Sequence, residues 1–282
     1  MPIITANIAA STALRYTNIN TELQNKYLGQ LSSGSRVQKS SDDAASLAIG
    51  SKLKSDAASL SQASINASNA TGLLNTADGG LAQIGDILQR LKVLTTQAQS
   101  GTNDTTSLLN INKEFQDLLS EINSIATSTR YNGVSLLDGN GVTNGSAYNA
   151  TFLLGTNSSD TIITNVANIG TSGTNGLSAV SGLSVTSVSL AATASSAIDS
   201  AISTLSGARA QVGADLARVN YRQQVVNVAQ ENASAGASTL LDADVASVES
   251  QYTNVQVLTE TGIAALQKAN AIPQELLNLL KS

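Results

Sequence analysis

The chain has 282 residues, 15 Lys and Arg against 20 Asp and Glu, a net charge of -5, and no Cys, His or Trp. That excludes disulfides, thiol catalysis, and the commonest metal ligand and general base. The acidic balance argues against nucleic-acid partners and anionic membrane surfaces. Hydrophobic residues make up 41% of the chain but aromatics only 3% and charged residues 12%, which suits thin helical bundles covered on more than one side.

No cluster of acids accompanies a pocket motif, and there is no glycine-rich phosphate loop or ligand-spaced acidic loop. No catalytic residue, cofactor or metal site is therefore assigned, and the expectation is that the protein is not an enzyme. The opening stretch, MPIITANIAASTALRY, lacks a basic n-region and a continuous apolar core, so no secretory signal is evident. No window approaches the ~20 apolar residues of a membrane span, so membrane insertion is not expected.

In chain order, Ile8 to Leu31 reads as a helix with Ile19, Leu23, Tyr27, Leu28 and Leu31 on its apolar side. Gly34 can take the backbone angles that end it. Ser41 or Asp42 can cap a second helix, with Asp43 adding favourable charge at its positive end. This helix should run to about Gln99. Gly72, Gly79, Gly80 and Gly85 weaken it unless a neighbour approaches closely. Gly101 to Asp104 is a turn, and a helix over about 105–129 should run back antiparallel.

Asn132-Gly133 is a hairpin signal. Thr151 to Leu154 and Thr161 to Ile169 read as short strands. From Gly170 to about Leu190 the composition is turn-like, and no Lys or Arg occurs from Tyr131 to Ala208. Helix returns near Ala194 and continues to about Glu231. A weak stretch, Asn232 to Ser238, precedes a last helix marked by Val245, Val248, Tyr252 and Val255. Pro273 should start or kink its final turn.

The helical stretches carry narrow apolar stripes. Leu74, Ala77, Leu81, Ile84, Leu88 and Leu91 follow alternating steps of three and four. So do Leu108, Ile111, Phe115, Leu118, Ile122 and Ile125. Ile198, Leu205, Val212, Val219 and Val226 recur every seven residues, with Ile202 and Leu216 as companions. Such stripes need partner helices. The expected fold is mainly α, with long antiparallel helices and a coiled coil from both chain ends and small β-hairpins in the middle.

Five segments in order resemble bacterial flagellin. They are Leu31 to Arg36 (LSSGSR) with Asp42, Asp43 and Leu47 to Ile49; Leu88 to Arg90 with Leu94 and Gln97; Thr129 to Val134 (TRYNGV) with Leu136 and Leu137; Asp242 to Asp244; and Gln267 to Asn270 with Ile272 to Gln274 and Leu277 to Leu280. The resemblance implies an inner-core coiled-coil domain from residues 1–42 and 240–282. It also implies an outer-core domain from 43–239, with long helices at 43–99, 105–129 and 194–231 and a hairpin region at 131–190. The middle is short, so the chain resembles a core-only flagellin.

The resemblance further implies self-assembly into a hollow helical filament used for swimming, outside the cell, after export without a cleaved signal. Implied partners are copies of the chain, the flagellar export apparatus, an export chaperone, and the cap and hook-filament junction proteins. Implied assembly contacts are Leu31, Gly34, Arg36, Asp42, Asp43, Asp242, Asp244, Asn270, Pro273, Leu277 and Leu280. Arg90, Leu94 and Glu114 match positions where many flagellins meet a host innate immune receptor. Lys92, Val93, Thr95 and Thr96 depart from the pattern there, and a core leucine beside a solvated charge pair is an equal reading. The alternatives are a hook-filament junction protein and a secreted adhesin or binding module. The triplets Asn149 to Thr151 and Asn157 to Ser159 are read as chance rather than glycan acceptors.

Overall fold

The computed structural model describes residues 7–139, 148–170 and 177–281, with the side chains of 273–281 outside the description. Five α-helices are seen among these residues: α1 (Ile8–Ser33), α2 (Ala44–Ala98), α3 (Thr105–Ser128), α4 (Val188–Leu241) and α5 (Val245–Lys281). Two antiparallel hairpins join them: β1 (Arg130–Tyr131) with β2 (Val134–Ser135), and β3 (Tyr148–Leu153) with β4 (Thr161–Val166). The chain forms two compact units, one from the described residues up to Ala57 together with those from Glu231 on, the other from Ala58–Gln230.

In the larger unit the α2 stripe is longer than expected. Leu60, Ala63, Ala67, Ala70, Leu74, Ala77, Leu81, Ile84, Leu88, Leu91, Thr95 and Ala98 are all buried. Strict steps of three and four put them on one seam. On α4, Ala191, Ala194, Ile198, Ala201, Leu205, Ala208, Val212, Asp215 and Val219 make the facing row. The buried companions are thus Ala194, Ala201, Ala208 and Asp215, while Ile202 and Leu216 pack on the flank. Small residues in that row let the two helices approach closely. Cross-links from Ser64 to Asn227, Asp78 to Arg209 and Lys92 to Asp199 show them antiparallel.

The helix α3 runs back along α2 as expected, with Arg90 bonded to Glu114 on the surface and Phe115 fully buried. Gly80 lies where they meet the following segment. A Cβ there would fall 2.6 Å from Thr129 Oγ1 and 2.8 Å from Leu137 Cδ1. Thr129 cannot yield freely, because its hydroxyl also donates to Ile125 O. Gly80→Val is expected to destabilise this unit by about 1–3 kcal/mol through overpacking, read from thermal unfolding of the monomer. An unchanged melt would show that the junction can open.

The β1–β2 turn has Asn132 at φ 49° and Gly133 at φ 80°, the left-handed pair that suits a two-residue hairpin. On β4, Ile162, Thr164 and Val166 point inward and alternate with exposed residues. The strand stops at Val166, short of Ile169, because the Ile169 and Gly170 amides donate to Leu137 O instead. The turn at Asn157 to Ser159 is closed by Asp160, which accepts from the Asn157 amide.

Four helix boundaries differ from expectation. Asp43, rather than Ser41 or Asp42, caps α2 by accepting the Ser46 amide at 2.9 Å. α4 starts at Val188 rather than Ala194, since the Ser187 hydroxyl accepts the Leu190 amide. α4 also continues through Asn232 to Ser238. Gly and Ser cost helix propensity there, but Ala233 and Ala237 are buried and Gly236 lies against Leu53. α5 runs through Pro273 as one helix rather than starting afresh there.

Hydrogen bonds from Ser46 hold the Asp43 carboxyl below its usual value, and those from Ser107 do the same for Asp104, the cap of α3. A lowered folded-state value means the carboxylate form stabilises the fold above the unfolded pKa of about 3.9 and stops doing so as pH falls through the lower folded value. Helix content is therefore expected to stay level from neutral pH down to about pH 4 and to fall below it. Asp104→Ser keeps a cap without a charge, so an acid titration followed by circular dichroism should lose Asp104's share of that dependence.

Candidate assembly surfaces

The terminal helices pair in the smaller unit. α1 packs along α5, and the neighbours Asn7 with Ala269, Thr17 with Gly262, and Ser35 with Asp242 make the pair antiparallel. Few large side chains are buried between them. Val248, Val255 and Ala269 are covered. Leu14, Ile19, Leu28, Leu258 and Ile263 remain exposed. This is the geometry of a helix pair with apolar surface left over on its outside.

The pair is closed at one end by a clip of backbone hydrogen bonds. Gly34 ends α1 in the left-handed conformation, at φ 68°, and its amide donates to Gln30 O at 2.9 Å. The Arg36 amide donates to Leu241 O at 2.7 Å, and the Ala243 amide to Gly34 O at 2.9 Å. The Arg36 guanidinium donates to Leu240 O at 2.9 Å and lies 4.0 Å from Asp43. Gln30, buried below the clip, donates to Arg36 O.

The acids of this region are structural hydrogen-bond acceptors. Asp42 accepts the Lys39 and Gln38 amides and faces Lys26 at 3.3 Å. The Lys39 amide and then the Lys26 ammonium hold its carboxyl below the usual value. Asp242 accepts from the Ser238 hydroxyl at 2.6 Å. Asp244 accepts the Ala246 and Ser247 amides and so caps α5.

The structure thus brings Gly34, Arg36, Asp43 and Asp242 to one clip, with Asp42 and Asp244 capping the adjoining turns. Leu31 is half-buried on α1 and Asn270 is exposed on α5. Pro273, Leu277 and Leu280 fall in the last turns of α5, but their side chains lie outside the described residues. Of the three positions that the resemblance matched to receptor contacts, Arg90 and Glu114 pair on the surface at 2.6 Å, and Leu94 is 1% exposed, inside the core of the larger unit.

Sequence reasoning missed Gln30, Ser35, Leu241 and Asp215. Leu241 acts through its backbone carbonyl, and Gln30 and Ser35 donate from their side chains to backbone carbonyls, so the partners leave no residue signature. Asp215 did have a signal, because it continues the seven-residue row of Ala194, Ala201 and Ala208. Its side chain is 1% exposed, pairs with Arg218 at 3.0 Å and accepts the Asn165 amide. It fastens β4 to α4.

Among the described residues no group of acids is placed to hold a metal ion, and no helix is long and apolar enough to cross a membrane. What the geometry offers is helix surface and a backbone clip. The family models described as the bacterial flagellin N-terminal and C-terminal helical regions match residues 4–142 and 195–280.

Flagellin FlaB1 of Treponema pallidum (strain Nichols) is 32% identical over 291 residues, covering 99% of this chain and 100% of its own. Flagellin of Bacillus subtilis (strain 168) is 33% identical over 302 residues, covering 99% of each. The crystal structure of Bacillus cereus flagellin is 29% identical, covers 57% of this chain and 88% of its own, and gives a TM-score of 0.48. The chain belongs to the bacterial flagellin family, whose members are structural subunits of the motility filament outside the cell and not enzymes. Its small size fits a core-only form, and neither a junction protein nor an adhesin is favoured by these full-length matches.

Proposed function

We propose that the smaller unit is the inner core and the larger unit the outer core of the filament subunit, and that the α1–α5 pair is completed only by neighbouring copies. The observation that carries this reading is the apolar surface left on the pair, with Leu28 50% and Leu258 53% exposed. Two thin helices have too little mutual burial to offset about 1–2 kcal/mol of backbone entropy per residue. Copies packed head to tail would cover the remaining stripe and form an open polymer. The clip at Gly34, Arg36, Asp42, Asp43, Asp242 and Asp244 would orient the pair for those contacts, with Leu31, Asn270, Pro273, Leu277 and Leu280 joining them.

The subunit would reach the filament through the flagellar export apparatus, with chaperone, cap and junction proteins as the family resemblance implies. Hydrogen exchange on monomers and on seeded filaments tests the central point. Protection of 8–33 and 245–272 should rise strongly on assembly. Equal protection in both states would refute the proposal.

A further inference from the structure

An α-helix carbonyl accepts from the amide four residues on, and proline has no amide hydrogen. Pro273 lies inside α5, so Ala269 O is the carbonyl whose helical donor is missing. Ala269 is also buried. The side-chain amide of Asn7 donates to that same carbonyl at 2.7 Å. The other end of the Asn7 side chain accepts the Ala10 amide at 3.0 Å and caps α1.

We propose that Asn7 and Pro273 form a latch: the proline vacates a carbonyl on α5, and Asn7, while capping α1, fills it. The latch positions the start of α1 against one residue of α5 and sets the register of the pair. Coiled helices with small, repetitive contacts otherwise slide easily, and one polar contact at a defined height is an effective register mark. The requirement is narrow. Asp or Ser at position 7 would cap as well as Asn, but a carboxylate has no hydrogen to donate.

The test separates capping from latching. It rests on the reading that the α1–α5 pair is buried on polymerisation, so critical concentration for elongation of filament seeds is the readout. Asn7→Asp keeps the cap and removes the donor. It should raise the critical concentration about tenfold, the effect of one buried acceptor left unsatisfied. Pro273→Ala restores an amide for Ala269 O, so adding Asn7→Asp to it should change the critical concentration less than about twofold.

A tenfold loss that Pro273→Ala does not relieve would overturn the latch. Asn7→Asp indistinguishable from wild type would overturn it as well. A wild-type chain that fails to elongate seeds at all would sink the polymerisation reading and the latch together.

Discussion

Replacing both Leu28 and Leu258 by glutamate is expected to abolish elongation of filament seeds while leaving the monomer's melt unchanged. Each leucine is about half exposed in the single chain, so neither holds the larger unit together. In a filament each would be covered. Burying one leucine contributes about 1.5–3 kcal/mol, and a buried unpaired carboxylate costs several more. Two such changes per subunit amount to a rise of at least about a thousandfold in critical concentration. Sedimentation of polymer after seeding measures it. Normal elongation by the double variant would mean that these faces stay wet in the filament.

The opposite pattern is expected of Phe115→Ala. Phe115 is wholly buried among residues of the larger unit, so its loss should destabilise the monomer by about 3–5 kcal/mol. For a unit of this size that corresponds to a fall of about 10 °C in melting temperature, measurable by calorimetry. Leu118→Ala on the same helix is the control, because Leu118 is only partly buried on the flank and its loss should cost clearly less. Equal losses would indicate that the seam is broader than the burial pattern shows.

Much of the architecture was readable because helical periodicity is written in side-chain chemistry. The row from Leu74 to Leu91 placed α2, and Asn132 with Gly133 placed the first hairpin. What escaped has a common cause. Asn232 to Ser238 reads as weak helix on propensity, yet its small residues are what allow Leu53 to approach Gly236. Tertiary packing overrode a local preference there. The cap of α2 fell on the last of three polar residues, since all three offer an acceptor and only the backbone decides which is used. The clip is built from carbonyls and amides that every residue carries. Asp215 is a charged residue in an otherwise apolar row, and a rule that counts only apolar positions skips it.

The unbroken seven-residue step on α2, from Leu60 to Ala98, also limits how this bundle can change in length. A straight α-helix drifts about 20° against such a repeat in every heptad, so the seam stays aligned only if α2 and its partner wind left-handed about each other. Adding one residue would rotate everything beyond it by about 100° and turn the buried side outward. Removing seven from α2 alone would strand its opposite number. Growth or shrinkage of the shaft thus goes most smoothly by whole heptads, inserted or deleted in α2 and α4 together, whereas a step of three or four residues has to be absorbed by local over- or underwinding.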